Sequence, residues 1–536
     1  MHKQRKSRDK SFTKAVVGSA LAAGAAVAQA MTFELGESSE WTLDWDTNVA
    51  YTAQFRVAKP DSDQFRYKDT GNIEADSRAY AVLINANDGD NNFKRGSPTQ
   101  NKASFVTEMD LKRDDYGLFA RARGYYDDVY DQNTQQDEEA FLTYNNSTNF
   151  PNGDADFREF PPDTVKEHRD RLEMLDYFLY ASGALPGDRQ FNVRLGSQVI
   201  NWGEATFTAG INGLQNRADL IARNTPGVEV KEILLPTGAL YGQVDVMSDV
   251  TFEAYYQYEW KKTELNGVGS YFSDRDFLGP GALNFLIPIG PNNLTPIPRT
   301  ADEAASDSGQ WGAALHFIVL EDTDIGLYYI NAHSKAPAYQ INYPVGGIFP
   351  ESYTIRYFED IQGYAGSFTT VLADTNVQGE VSYKTGVPVV LASGEPVEGD
   401  LAAYQFGGSY VFEPTKLWDD AVLVFELAGA YVTSEDSAEL LYDDHATVIN
   451  ARLELAYLNV AQGLDLKVPV FLRRGLEGNI LESEMVEDSS AVNITFQLVY
   501  LNNFITSVGY SNFFDGGENT YINDRDNVAL TVSYSF

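Results

Sequence analysis

The sequence predicts an all-β protein, a transmembrane antiparallel β-barrel of about 16–18 strands with a segment folded into its lumen as a plug or hatch. Three observations carry this reading. Apolar and polar residues alternate with period two over many segments of roughly ten residues, as expected of a wall with lipid on one side and water on the other. The connections between those segments are alternately short and long. The last strand alternates Val528, Leu530, Val532, Tyr534 and Phe536 with Ala529, Thr531, Ser533 and Ser535. A closing strand that ends on an aromatic resembles the signal read by the barrel-assembly machinery, with Val532, Tyr534 and Phe536 as the assembly signal.

The N-terminus supports the same class. Lys3, Arg5, Lys6, Arg8, Lys10 and Lys14 precede an apolar run from Ala15 to Val27 and then Ala28-Gln29-Ala30. A cationic start, a short apolar core and an A-x-A site predict a signal peptide over 1–30, leaving 31–536 as the barrel. That run is shorter than the ~20 apolar residues a membrane-spanning helix needs. Later in the chain no such stretch occurs. Cysteine is absent, which excludes disulfides and thiolate metal sites. The formal net charge of −37 repels nucleic acid.

The strands follow in order. Trp41, Leu43, Trp45, Val49, Tyr51, Phe55 and Val57 form one face against Thr42, Asp44, Asp46, Asn48, Thr52, Gln54 and Arg56. Phe252, Ala254, Tyr256, Tyr258 and Trp260 do the same in a segment at 250–263, as do Val492, Ile494, Phe496, Leu498 and Tyr500 near the end. About eighteen such segments run from 41–57 to 526–536, one of them 190–202. Short turns such as Asp114-Asp115, Ser248-Asp249 and Asn502-Asn503 alternate with long connections, among them 203–237, 264–309, 335–362 and 387–401. Bacterial barrels place the short turns in the periplasm and the long loops outside, which predicts the outer membrane of a Gram-negative bacterium, with its lipid and lipopolysaccharide as surroundings.

Two connections break the polar pattern. Between 203 and 236, the runs Arg217-Ala218-Asp219-Leu220-Ile221-Ala222-Arg223 and Val228-Glu229-Val230-Lys231-Glu232-Ile233-Leu234-Leu235 suit short helices, separated by a turn at Pro226-Gly227. Apolar residues are costly to expose, and wide barrels are constricted by inward-folded segments, so 203–236 is expected to be the plug. Its candidate gate residues are Asn201, Trp202, Gly203, Glu204, Arg223, Pro226, Gly227, Glu229, Lys231 and Glu232. Leu283, Phe285, Leu286, Ile287 and Ile289 form an apolar run in an otherwise polar exterior and are expected to be a capture patch. Acidic stretches such as Asp127-Asp128-Val129-Tyr130-Asp131 and Gln135-Gln136-Asp137-Glu138-Glu139 suit solvated loops. Divalent cations bridging them to lipopolysaccharide phosphates would be their only cofactor, since no defined metal loop is present.

The run Gly196-x-Gln198-x-x-Asn201-Trp202-Gly203-Glu204, then Pro226-Gly227, Lys231-Glu232 and Leu235-Pro236, resembles the proteobacterial outer-membrane domain-of-unknown-function family 1302. Phe358-Glu359-Asp360-Ile361 and Gly379-Glu380-x-x-Tyr383 resemble later stretches of that family. The resemblance implies a plugged barrel, distantly similar to fatty-acid and hydrocarbon uptake channels. It also implies a periplasmic partner and a resistance-nodulation-division-type exporter. It carries over no catalytic residues.

The leading expectation is a channel for hydrophobic or amphipathic small molecules, lipid, sterol or aromatic-like, gated by the lumenal segment. The alternatives are a general diffusion porin and a barrel that anchors a periplasmic or exporter partner. For the porin, Glu253, Glu259, Glu380, Glu426 and Glu454 share the lumen phase with Arg56, Arg121, Arg123 and Lys384. An enzyme is not expected. Among the histidines only His316 and His333 fall on neighbouring strands, and no Gly-x-Ser-x-Gly or His-Glu-x-x-His occurs.

Overall fold

Hydrocarbon cannot satisfy an open sheet edge, and the alternating sequence answers that constraint by closing on itself. The computed structural model describes residues 31–36, 40–61, 84–136, 158–187, 189–290, 293–320, 322–435, 439–480, 485–517 and 520–536. The signal peptide expected at 1–30 and the acids at 137–139 lie outside them.

Eighteen strands form one closed antiparallel barrel. They are β1 (Trp41–Arg56), β2 (Pro98–Arg113), β3 (Tyr116–Asp127), β4 (Asp170–Leu185), β5 (Arg189–Gln198) and β6 (Thr237–Met247). The wall continues through β7 (Val250–Gln257), β8 (Gln310–Val319), β9 (Thr323–Ala332), β10 (Ile361–Leu372), β11 (Thr375–Val390) and β12 (Pro396–Phe412). It ends with β13 (Asp420–Val432), β14 (His445–Ala461), β15 (Leu464–Glu477), β16 (Ser490–Tyr500), β17 (Phe504–Phe514) and β18 (Asn527–Ser535). Each strand pairs with the next, and β18 returns to β1 with Tyr51 opposite Val532 and Val49 opposite Tyr534. Phe536 completes the seam, exchanging two backbone hydrogen bonds with Thr47. Met31–Leu35 adds a short strand beside the start of β1.

The alternation resolves as expected. Tyr51, Phe55, Leu327, Tyr364, Val381, Phe406 and Phe496 point outward and are exposed, forming an apolar surface for lipid. Thr52, Gln54, Arg56, Glu380, Gln405, Glu426 and Asn450 are buried inside. A closed barrel with such an exterior is the architecture of an outer-membrane protein. Positive φ at Asp114, Leu320, Ala373, Leu501 and Asn502 marks several tight turns at one end.

Three boundaries differ from expectation. β5 stops at Gln198 instead of reaching 202, and β7 stops at Gln257 instead of 263. The Tyr258 amide still bonds the Gly238 carbonyl of β6, but Trp260 lies outside the wall, where it meets Tyr357 edge-on and donates to the Ser334 carbonyl. The loop expected at 387–401 is mostly strand, because a bulge at Gly386 shifts the phase of β11 so that Val387 and Val389 face inward and pair with β12.

At the long-loop end, two hairpins, Asn284–Gly290 with Asn293–Pro298 and Ala338–Asn342 with Ser352–Arg356, pack around buried Phe277, Ile297, Tyr353 and Ile355. A buried ion cluster ties other loops to the rim. Arg56 bonds Asp90 at 2.8 Å and Asp524 at 2.7 Å, and Arg525 joins the same two carboxylates.

Candidate functional site

The connection between β5 and β6 is fastened to inward-facing side chains of the wall along its whole length. Beyond Gln198 the chain carries Ile200 and Trp202 into a buried apolar cluster. Trp202 is buried in that cluster. Its indole N–H donates to Glu253 at 2.7 Å, its backbone N–H to Gln215 at 2.8 Å, and its ring packs on Tyr255 and Tyr328.

Gly203 follows with φ +83°, and a Cβ there would sit 2.0 Å from a Glu380 carboxylate oxygen, so only glycine fits. Glu380, on β11, accepts the backbone N–H groups of Glu204 (3.0 Å) and Ile211 (2.7 Å). Glu426, on β13, accepts those of Thr206 (2.6 Å), Phe207 (3.0 Å) and Thr208 (2.8 Å). Five amides thus meet two carboxylates, and charge-assisted bonds of this type are about twice as strong as neutral ones.

The carbonyls of the same stretch are met as well. Gln378 donates to Glu204, Lys384 to Gly210 and Gln405 to Thr208, while Asn450 donates to the Thr208 hydroxyl. Beside them Lys335, buried just beyond β9, donates to the carbonyls of Leu214 and His333 and to Gln310. Burial with no carboxylate partner brings its pKa down to about 7. The Glu204 carboxyl is pushed up, first by burial and then by Asp324.

The second half of the segment is held by a different part of the wall. Asp219 caps the short helix Leu220–Arg223 by accepting from Ile221 and Ala222, and pairs with Arg123 of β3. Arg121 and Arg123 donate to the carbonyls of Lys231 and Glu232. Glu229 and Glu232 form a capping box on Val230–Ile233, and Lys231 reaches Glu108 of β2 at 2.8 Å. At the turn, the Thr52 and Thr531 hydroxyls approach the Pro226 carbonyl, and Gly227 takes φ +84° with Thr531 2.9 Å from where a Cβ would lie. Asn201 accepts from Asn212 and Asn216 within the segment, and Arg223 is exposed at the end of its helix.

The wall around the Glu380–Glu426 belt is two-sided. From the belt to the long loops, the inner face of β9–β14 is mostly apolar: Ile330, Ala332, Ile361, Ala428, Ala430, Val432, Ala446 and Val448 are buried with Val387, Val389, Leu440, Ile480 and Met485, Ile211 and Leu214 of the segment pack into the same cluster, and Ser382 and Lys384 interrupt it on β11. The inner face of β2–β4 is charged, with Arg121, Arg123 and Arg171 paired to Glu108, Asp176, Glu173 and Glu264.

The run 283–289 is not an open apolar surface. Leu286 is only 2% exposed, and Phe285 and Ile287 pack against the loop cluster, which leaves Leu283 exposed. The Ile289 side chain lies outside the described residues. The two faces of the hairpin are covered separately, Phe285 and Ile287 by the loop cluster and Leu286 beside Asn85, which bonds both its backbone groups. Asp127 accepts from the backbone of Asn101 and Val129. Among the described residues no three His, Asp or Glu side chains gather as metal ligands. His316 lies opposite Gly326, so His333 is roughly 23 Å further along β9. Both His333 nitrogens engage backbone groups, of Ser308 and Asp360.

Glu380 and Glu426 were placed in the lumen phase by sequence, and Glu380 also lies in the family-like Gly379-Glu380-x-x-Tyr383 run, but neither signal points to the amides they hold. Their partners lie 169–220 positions away.

A family model described as "Protein of unknown function (DUF1302)" matches residues 12–536. No curated protein matches the chain. Among solved structures, similar folds include OccAB1 of Acinetobacter baumannii (8% identity, TM-score 0.44, covering 95% of this chain and 99% of that one). OccK8 (OprE) of Pseudomonas aeruginosa is 9% identical, with a TM-score of 0.44 over 92% and 98% of the two chains. A BenF-like porin from Pseudomonas fluorescens Pf-5 is 9% identical, with a TM-score of 0.41 over 92% and 98%.

Proposed function

The chain belongs to the DUF1302 family of outer-membrane barrels, and we propose that it is a channel for hydrophobic or amphipathic small molecules, lipid, sterol or aromatic-like, with 203–236 as its lumenal plug. The observation that carries this reading is the apolar inner face of β9–β14, which leads from the long loops to the Glu380–Glu426 belt. Barrel interiors are ordinarily polar. An apolar stripe on which Ile211 and Leu214 of the segment themselves pack gives a lipophile a surface to follow as the segment leaves it.

Opening then requires the amides of 204–211 to leave the two glutamates. The charged face of β2–β4 favours the second reading, a diffusion porin for polar solutes, because paired lumenal charges impose only mild ion preference.

Uptake in cells separates the two. In the E380Q/E426Q double variant, entry of a fluorescent apolar tracer should rise while entry of a polar solute of equal size stays near its baseline. Adding Val448→Asn in the stripe should reverse the gain. An equal rise for both solutes would replace this reading with the porin.

A further inference from the structure

The outer surface of the barrel carries a hollow of about 650 Å³ across β7–β11. Its cause is a pattern of side-chain sizes. In one outward-facing row Ala313, Tyr329, Tyr364 and Tyr383 stand opposite one another across four strands. In the next row towards the short-turn end come Leu315, Leu327, Gly366 and Val381. Gly366 leaves a gap between two bulky neighbours, and the tyrosine row borders it on the long-loop side.

The hydroxyls of Tyr364 and Tyr383 point away from the hollow, bonding Gln362 and Asp400 towards the long loops. A tyrosine row with its hydroxyls on one side marks the interfacial level of a membrane. The hollow therefore lies at hydrocarbon depth in the outer leaflet, directly beneath the headgroups. Its size is that of a small-molecule site.

We propose that this hollow is a binding site for an acyl chain of an outer-leaflet lipid, whose polar end rests at the Tyr329–Tyr364–Tyr383 row. A second copy of the barrel fits less well, because a two-fold interface sets the same patch against itself and would leave two facing hollows unfilled. The wall behind the hollow is continuous, with β8–β9, β9–β10 and β10–β11 paired without a register shift. The occupant is accordingly held on the outside and does not pass through.

The test uses the full barrel in nanodiscs containing a trace of phosphatidylethanolamine with a photoactivatable diazirine in its acyl chain, with crosslinks mapped by mass spectrometry. Gly366→Leu fills the hollow without displacing the backbone, because a Cβ there meets nothing closer than Leu327 at 3.6 Å. Val508→Leu, on the exposed far side, is the control. Crosslinks should concentrate on 327, 366 and 381, fall about fivefold in G366L and remain unchanged in V508L, both variants keeping the heat-modifiable folded band. Crosslinks spread evenly around the barrel, or equal labelling of G366L and wild type, would overturn the proposal. Copy-to-copy crosslinks through Leu327 or Val381 would also overturn it, in favour of an oligomer contact.

Discussion

Glu426 accepts the backbone N–H of Thr206 at 2.6 Å across the barrel, between residues 220 positions apart. The same carboxylate takes the next two amides, so one side chain 1% exposed fixes a stretch of backbone that has no regular structure of its own. A buried N–H without a partner costs roughly 1–3 kcal/mol.

Glu426→Gln keeps one acceptor oxygen and turns an amino group towards the amides. Exchange of the 204–211 amides, followed by hydrogen–deuterium mass spectrometry, should accelerate about tenfold, the equivalent of ~1.4 kcal/mol. Unchanged exchange would remove Glu426 from the latch.

Gly203→Ala should disturb the partner carboxylate without touching its charge. The added carbon meets Glu380 and requires a backbone conformation that L-residues avoid, so the Glu204 and Ile211 amides should exchange faster while those of 206–208 change little. Uniform protection across 204–211 would show that Gly203 tolerates a side chain.

Asp219→Ala removes a helix cap and one half of a buried ion pair, leaving Arg123, 4% exposed, without that partner. Breaking such a pair typically costs 3–5 kcal/mol. Limited proteolysis should cut D219A near Pro226-Gly227 under conditions that spare the wild type, while the barrel fragments keep their folded mobility.

Lys335 adds a pH signature. Its folded pKa of about 7 lies below the ordinary lysine value of 10.5, so between those values the unfolded chain binds a proton that the folded chain does not. Stability therefore rises with pH through this window, by up to ~1.4 kcal/mol per unit, and is lost as pH falls towards 7. Measured against Lys335→Met by denaturant titration, the wild type should gain relative stability from pH 7 to 10. A pH-independent difference would mean that Lys335 stays protonated.

The strand count was legible because each strand must show lipid one face and the interior the other, a demand that period-two alternation records residue by residue. Tyr51 and Phe55 against Thr52 and Gln54 are its clearest case. The short helices at Leu220–Arg223 and Val230–Ile233 were readable as the mixed runs 217–223 and 228–235 on either side of Pro226-Gly227. What composition could not supply was partnership over distance. Nothing near Glu380 or Glu426 foretells amides far away in the chain, and Leu286 looked exposed only because the hairpins that bury it are themselves set by tertiary packing.

Single-channel recording of the refolded protein in a planar bilayer tests the central claim that 203–236 closes the lumen. A lumen closed by 203–236 gives silence or rare brief openings in the wild type, and steady large conductance once 203–236 is replaced by a short glycine bridge. Steady conductance of the wild type, or a deletion variant as silent as its parent, would contradict it.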